Sequence, residues 1–495
     1  MSSPLAGGVL PEYAELHCLS NFTFLEGASR AEELVERAAA LGYSAIAITD
    51  ECSLAGIVRA HTEAKAHGLK LVVGASFRLV NADGSPALSI VILARNREGY
   101  GNLCELITLA RMRASKGAYW LTPRDLEAPD EPYAHLRGMP DCLVLFVPEY
   151  AAPAEMIAAQ AAWVSRTFSG RAWMALTLHY RPYDDLHRAA VEQAAAANHL
   201  RLVAAGHVAM HVRSRKPLQD VMTAIRLGKP VPACGYELSP NAERHLRSRL
   251  RLANIYPHRL LTESLHIANL CQFSLDELRY EYPEEVVPDG VSPADYLRSE
   301  TYIGAHRRFP KGIPHNVQAQ IEHELALVRD MDYERYFLTV YDLVRFARSN
   351  GILCQGRGSA ANSAVCYCLG ITEVDPARGN LLFERFISKE RGEPPDIDVD
   401  FEHQRREEVI QYLYSKYGRD RAALAAAVST YRPRGALRES GKALGVDPAI
   451  VDMVAKAHHW FDSKADLLKR FEESGVDTES ELTQRWASMA TQLLG

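Results

Sequence analysis

A chain of 495 residues, 47% hydrophobic and 24% charged, with a formal net charge of −6, has the balance of a multi-domain globular protein and not of a tail or fibre. No run of about eighteen apolar residues occurs, and Met1 to Leu10 lacks a basic-then-apolar pattern, which argues against a membrane span or secretory signal and for a cytoplasmic protein. The nine cysteines include no Cys-x-x-Cys pair and read as reduced thiols, while the acidic balance excludes a uniformly basic nucleic-acid binder but leaves room for a basic groove.

From Tyr13 to about Val212, short β-rich runs alternate with helical patterns. Ser44–Thr49, Leu69–Leu79, Leu88–Ala94, Leu143–Val147, Ala172–Leu178 and Leu202–Ala205 read as strands, several of them apolar throughout as strands covered on both faces are. Between them lie amphipathic stretches such as Arg30 to Leu41, with Leu34, Val35, Ala38 and Leu41 on one side. Repeated βα units predict a parallel sheet, as a barrel or as an open doubly wound sheet. Residues 229–240 read as a linker, and from Asn241 to Phe273 the pattern turns helical and basic, with Arg244, Arg247, Arg249, Arg251 and Arg259. The Pro-rich stretch Tyr282 to Pro293 marks a boundary near 275–290. A second α/β region follows from about Val317 to Gly418, and the remainder is helical and rich in Ala. The expected division is 1–240 βα barrel, 241–290 helical linker, 291–430 mixed α/β domain and 431–495 helical segment.

Pro-Pro-Asp396-Ile-Asp398-Val-Asp400-Phe401 carries the strongest chemical signal. In a strand, alternate side chains share a face, so the three aspartates point one way and Ile397, Val399 and Phe401 the other. Crowded carboxylates repel unless a cation neutralises them. Hard oxygen donors favour Mg²⁺ or Mn²⁺, and such a pair can bridge two ions roughly 3.5–4 Å apart for in-line phosphoryl displacement. A solvated acidic edge strand is the bland alternative.

About forty residues upstream, a short strand runs into Gln355-Gly-Arg-Gly-Ser-Ala-Ala-Asn-Ser363. Amides at Gly356 and Gly358, the hydroxyls of Ser359 and Ser363 and the Arg357 guanidinium form a candidate phosphate cradle at a helix N-terminus. A dinucleotide fingerprint, Gly356-x-Gly358-x-x-Ala361, is the rival reading, but Asp375 stands in a turn-like Asp-Pro and not at a strand end.

Gln355 to Ser363, Leu382-Phe-Glu-Arg-Phe386 and Pro395 to Phe401, in this order and spacing, resemble the palm of the bacterial C-family DNA polymerases, the DNA polymerase III alpha-subunit class. Tyr13 to Gly27 and Ile48 to Gly56 further resemble its error-prone branch, associated with damage-induced mutagenesis. The resemblance implies a palm in which Asp396 and Asp398 ligate two Mg²⁺ (or Mn²⁺), with Asp400 farther along the strand. It makes the Gly356–Ser363 loop hold the incoming dNTP, and Arg385 and Arg391 either contact its phosphates or pair with Glu384 and Glu390. Arg432, Arg434 and Arg438 are candidates for nucleic-acid contact or an ordinary solvated face. Primer-template DNA, accessory mutagenesis proteins and the sliding clamp are the implied partners, the last two mostly through a second half of the protein.

Two departures accompany the resemblance. The family's third metal-binding aspartate, in a Lys-x-Asp-x-Leu-Gly-Leu type segment, is not in this sequence, so the chain is expected to be a fragment inactive by itself. The N-terminal region resembles the polymerase-and-histidinol-phosphatase (PHP) domain, a (β/α)₇ barrel whose intact members bind three metals. Here His17 and Asp50 match, but Leu19, Glu51, Ser76, His207 and Ala209 stand at changed positions. His17, Asp50, Glu51 and His207 form at most a degenerate site, and the barrel is expected to hold no metal. Three readings stand: a template-directed nucleotidyl transferase, a metal-dependent phosphoesterase or exonuclease using the barrel, and a non-catalytic scaffold.

Overall fold

The computed structural model describes residues 10–284, 286–378, 387, 395–419, 421–458 and 464–494. They fall into two compact units, one of residues 1–278 with 429–495 and one of 279–428.

The first unit is built on a seven-stranded sheet in sequential order: β1 (Ala14–Glu15), β2 (Ala45–Ile48), β3 (Lys70–Val80), β4 (Pro86–Ala94), β5 (Cys142–Val147), β6 (Ala172–Leu176) and β7 (Arg201–Ala204). The uniformly apolar runs are buried on both faces, as at β2 and β6. Ile46, Ile48, Phe77, Ile92, Phe146 and Met174 pack outward among Leu34, Val35, Leu103 and Ile157 of the surrounding helices. Ala47, Val91, Leu145 and Val203 take the opposite face with Ile267 and Ala268 of the helix His258–Leu270.

The sheet departs from the all-parallel expectation at β4, which runs antiparallel to both β3 and β5. The reason is local. Only Asn81–Ser85 separates β3 from β4, too few residues for a crossover, and a tight turn forms with Asn81 N–H donating to the Ser85 carbonyl at 2.8 Å. The first and last strands meet beyond their ends: Leu19 N–H donates to Val208 O at 2.8 Å and Val208 N–H to His17 O at 2.9 Å, curling the sheet closed.

Residues 241–248 are not helical. They lie against this closure, with Ala209 N–H donating to Arg244 O at 2.9 Å and a bridge between Met210 and His245, before the helices Arg249–Ile255 and His258–Leu270 begin. The helices Pro433–Leu444, Pro448–Ala457 and Glu481–Leu493 cluster around Leu437, Val451 and Trp486. Ala443 and Met489 extend that packing onto Val221 and Met222 of the helix Lys216–Leu227, within the same unit.

In the second unit, helices Pro293–Arg308, His315–Asp330 and Glu334–Ser349 enclose a core of Ile321, Val328, Phe337, Val365 and Ile371. Beside it, β8 (Cys354–Arg357) and β9 (Asp398–Phe401) pair antiparallel, and the helix Arg406–Tyr417 follows. Among the described residues no helix of either unit is long and apolar enough to cross a membrane.

Candidate functional site

The strand face foreseen from alternation is present. Asp396, Asp398 and Asp400 are exposed, whereas Ile397 and Val399 pack on the unit's core and Phe401 on Ala347, Ile352 and Val409. Register sets what the aspartates meet. Arg357 lies directly opposite Asp398 and Gln355 opposite Asp400, and the Arg357 Nε contacts Asp400 Oδ2 diagonally across the pair. Both side chains are more than half exposed, so the ion pair contributes at most about 1 kcal/mol. Ile397 N–H donates to the Tyr336 hydroxyl at 3.2 Å, fixing the entry to the strand. Burial, and then the charges of Asp396 and Asp398, raise the Tyr336 hydroxyl's pKa.

The glycine-rich turn is shaped by close approach. Gly356 N–H donates to the Ile371 carbonyl at 2.6 Å, and a Cβ on Gly356 would lie 2.6 Å from the same oxygen. Gly358 adopts φ +61°, and a Cβ there would stand 3.5 Å from an Asp398 carboxylate oxygen. The turn and the aspartate strand are thus brought together. Gly356→Ala is expected to destabilise the second unit by about 1–3 kcal/mol, seen as a lowered thermal midpoint; an unchanged midpoint would show that the Ile371 carbonyl yields.

Ser363 is placed differently from the phosphate-contact expectation. Its side chain is fully buried, and its hydroxyl donates to Glu324 Oε2 at 2.8 Å while accepting from Cys366 N–H at 3.0 Å. Glu324, itself fully buried, also accepts from the amides of Ala364 and Val365 at 2.9 Å each and from Gln320. A protein carboxylate therefore caps the short helix Ala364–Cys368 where a ligand phosphate was expected. Burial pushes the Glu324 carboxyl up to about 7. The sequence contains the signal: Glu324 sits on the apolar stripe Val317, Ile321, Leu325 and Val328 of its helix.

The dinucleotide reading fails on topology, because β8 pairs antiparallel with β9 and Asp375 closes a turn onto Ala377 N–H at 2.9 Å. Arg385, Arg391 and Leu382–Phe386 lie outside the described residues, as does the side chain of Ser359. In the first unit, Arg434 donates to the His458 carbonyl at 2.9 Å, Arg438 pairs with Asp452 at 3.4 Å, and Arg432 caps their helix.

At the barrel's closure the two carboxylates of the degenerate set are engaged by protein groups, whereas His17 Nδ1 is buried without a hydrogen-bond partner. Asp50 accepts from Ser20 N–H and the Thr23 hydroxyl at 2.7 Å each and from the Ser20 hydroxyl at 2.6 Å. Glu51 accepts from the Tyr119 hydroxyl at 2.7 Å and contacts Arg78. His17 and His207 stack with ring centroids 4.3 Å apart. Burial, reinforced by Arg244, lowers the pKa of both, that of His17 to about 3, so the rings stay neutral. With its carboxylates hydrogen-bonded and guanidinium groups beside its imidazoles, this donor set does not fit a metal cluster, and among the described residues no three His, Cys, Asp or Glu side chains group to hold an ion.

Residues 295–495 match the family described as the bacterial DNA polymerase III alpha NTPase domain, and residues 15–161 match the PHP domain. The chain is 62% identical over 487 residues to an error-prone DNA polymerase of Bordetella parapertussis, covering 98% of this chain and 46% of that protein. It is 60% identical over 496 residues to one of Burkholderia mallei, covering 99% and 47%. A putative metal-dependent phosphoesterase from Bifidobacterium adolescentis aligns at 14% identity and TM-score 0.30, over 40% of this chain and 90% of that one. Residues 295–495 thus belong to the bacterial DNA polymerase III alpha NTPase domain family and residues 15–161 to the PHP domain family. The two curated relatives are error-prone DNA polymerases, and the chain spans about half their length.

Proposed function

We propose that this chain supplies the PHP domain and part of the palm of an error-prone DNA-directed DNA polymerase, which adds nucleotides from dNTPs to a primer 3′-hydroxyl during damage-associated synthesis. The pairing of β8 with β9 carries the reading, because it sets a glycine turn against exposed Asp398, two residues after exposed Asp396. Asp398 at the start of β9 and Asp396 two residues before it offer exposed hard oxygen donors and would hold two Mg²⁺ or Mn²⁺ ions. Ions bound there supply a lowered pKa at the primer hydroxyl and charge neutralisation at the leaving pyrophosphate.

Gly356, Arg357, Gly358 and Ser359, with Arg385 and Arg391, would bind the triphosphate. Arg357 can leave the weak exposed pair with Asp400 for a more highly charged phosphate. Ser363 acts one step back, by anchoring the loop's end to Glu324. Primer-template DNA is the macromolecular substrate, in the cytoplasm, with accessory mutagenesis proteins and the sliding clamp as partners of the remaining half of such a polymerase.

The family's third aspartate segment is not in this sequence, so the 495-residue chain alone is expected not to extend a primer. A chimera joining it to the remaining half of the Bordetella parapertussis relative is expected to do so with Mg²⁺ and dNTPs. Extension by the 495-residue chain alone, or none by a folded chimera, would count against the proposal.

A further inference from the structure

We propose that Arg244, with Arg78 beside it, supplies at the barrel's closure the positive charge that bound metal supplies in metal-binding PHP domains, so that the fold there is neutralised internally. Arg244 reaches the position because residues 244–246 are laid along 208–210, which in turn pair with 17–19. Its side chain is only 12% exposed. Its Nε donates to the His207 carbonyl at 3.0 Å, and a terminal nitrogen lies 3.5 Å from Glu26 Oε1. Arg78 donates to Glu26 Oε2 at 2.7 Å and also contacts Glu51. Two carboxylates are thus matched by two guanidiniums.

The electrostatics agree with this placement. Burial alone would push the Glu26 carboxyl up, but Arg244 and then Arg78 outweigh it and hold Glu26 below its usual range. Both imidazoles feel Arg244 as a nearby cation, which disfavours a further positive ion against them. A guanidinium is planar, multiply donating and permanently charged, so it can bind carboxylate and carbonyl oxygens together. A covalently attached cation also needs no loading and does not respond to chelators.

The purified chain tests this through metal content and thermal unfolding. In an Asp396→Ala/Asp398→Ala parent, which removes the proposed palm ligands, the chain is expected to retain no stoichiometric Zn²⁺ or Mn²⁺ after dialysis, and its midpoint is expected to be the same with EDTA or with excess divalent ion. Arg244→Met is expected to lower the midpoint by roughly 5 °C or more, because Glu26 loses a buried partner. Arg244→Lys, which keeps the charge, should recover more than half of the loss, and adding Glu26→Gln to Arg244→Met should restore at least half of it by removing a carboxylate left with Arg78 alone. If Arg244→Met fails to fold, the lysine variant and the double variant carry the comparison. One metal per chain in the parent with an EDTA-sensitive midpoint, an Arg244→Met variant as stable as the parent, or a double variant no better than Arg244→Met would each overturn the assignment.

Discussion

Asp398→Ala in the chimeric polymerase is expected to reduce primer extension by at least about 10³-fold while leaving primer-template affinity within a few-fold of the parent. The carboxylate projects from an exposed strand face opposite Arg357 and beside the Gly358 turn, so its removal leaves no cavity in the core. Stability should therefore be nearly unchanged, and the loss should appear in kcat more than in KM. Asp400→Ala is expected to be milder, since that aspartate lies one strand repeat farther on and pairs with Arg357. Single-turnover extension with DNA binding measured in parallel separates the outcomes. An Asp398→Ala enzyme within tenfold of the parent would remove Asp398 from the metal site, and comparable losses at Asp398 and Asp400 would shift that site along the strand.

Glu324→Ala is expected to destabilise the second unit by roughly 3 kcal/mol or more, because the Ser363 hydroxyl and the Ala364 and Val365 amides lose their acceptor in a buried place. Faster hydrogen exchange at residues 363–366 should localise the effect, and unaltered protection there would exclude it. The pH dependence has a definite sign. The folded carboxyl titrates at about 7 against an ordinary value of 4.5. Its contribution to stability is therefore full below about 4.5 and is lost as pH rises through about 7, a change of up to about 3 kcal/mol. Glu324→Gln does not titrate, so the stability gap between parent and variant should move in the variant's favour from pH 5 to pH 8. A gap constant across that range would show that Glu324 ionises normally.

Much of this was legible in the sequence because it depends on short periodicities. The two-residue repeat of 396–401 fixed which side chains share a face, and apolar runs such as Ala45–Ile48 marked strands buried on both faces. The glycines of the 355–363 segment marked a turn after a short strand, and β8 (Cys354–Arg357) ends there. Motif order and spacing pointed to the polymerase class, which the family matches bear out.

Other features depend on contacts between residues far apart in the chain, and no local pattern encodes them. Ser363 reads as a phosphate ligand until Glu324, thirty-nine residues earlier, is found beneath it. Arg244 reads as part of a basic helix until the 244–246 segment is seen pairing with 208–210 and pointing a guanidinium at Glu26. Residue types by themselves determined that carboxylates line a strand and that imidazoles and carboxylates recur at the barrel's closure. The tertiary structure decided which of those charges face solvent, open to a cation, and which are already neutralised by another part of the chain, because in a buried place the nearest opposite charge or donor decides, whatever its distance in sequence.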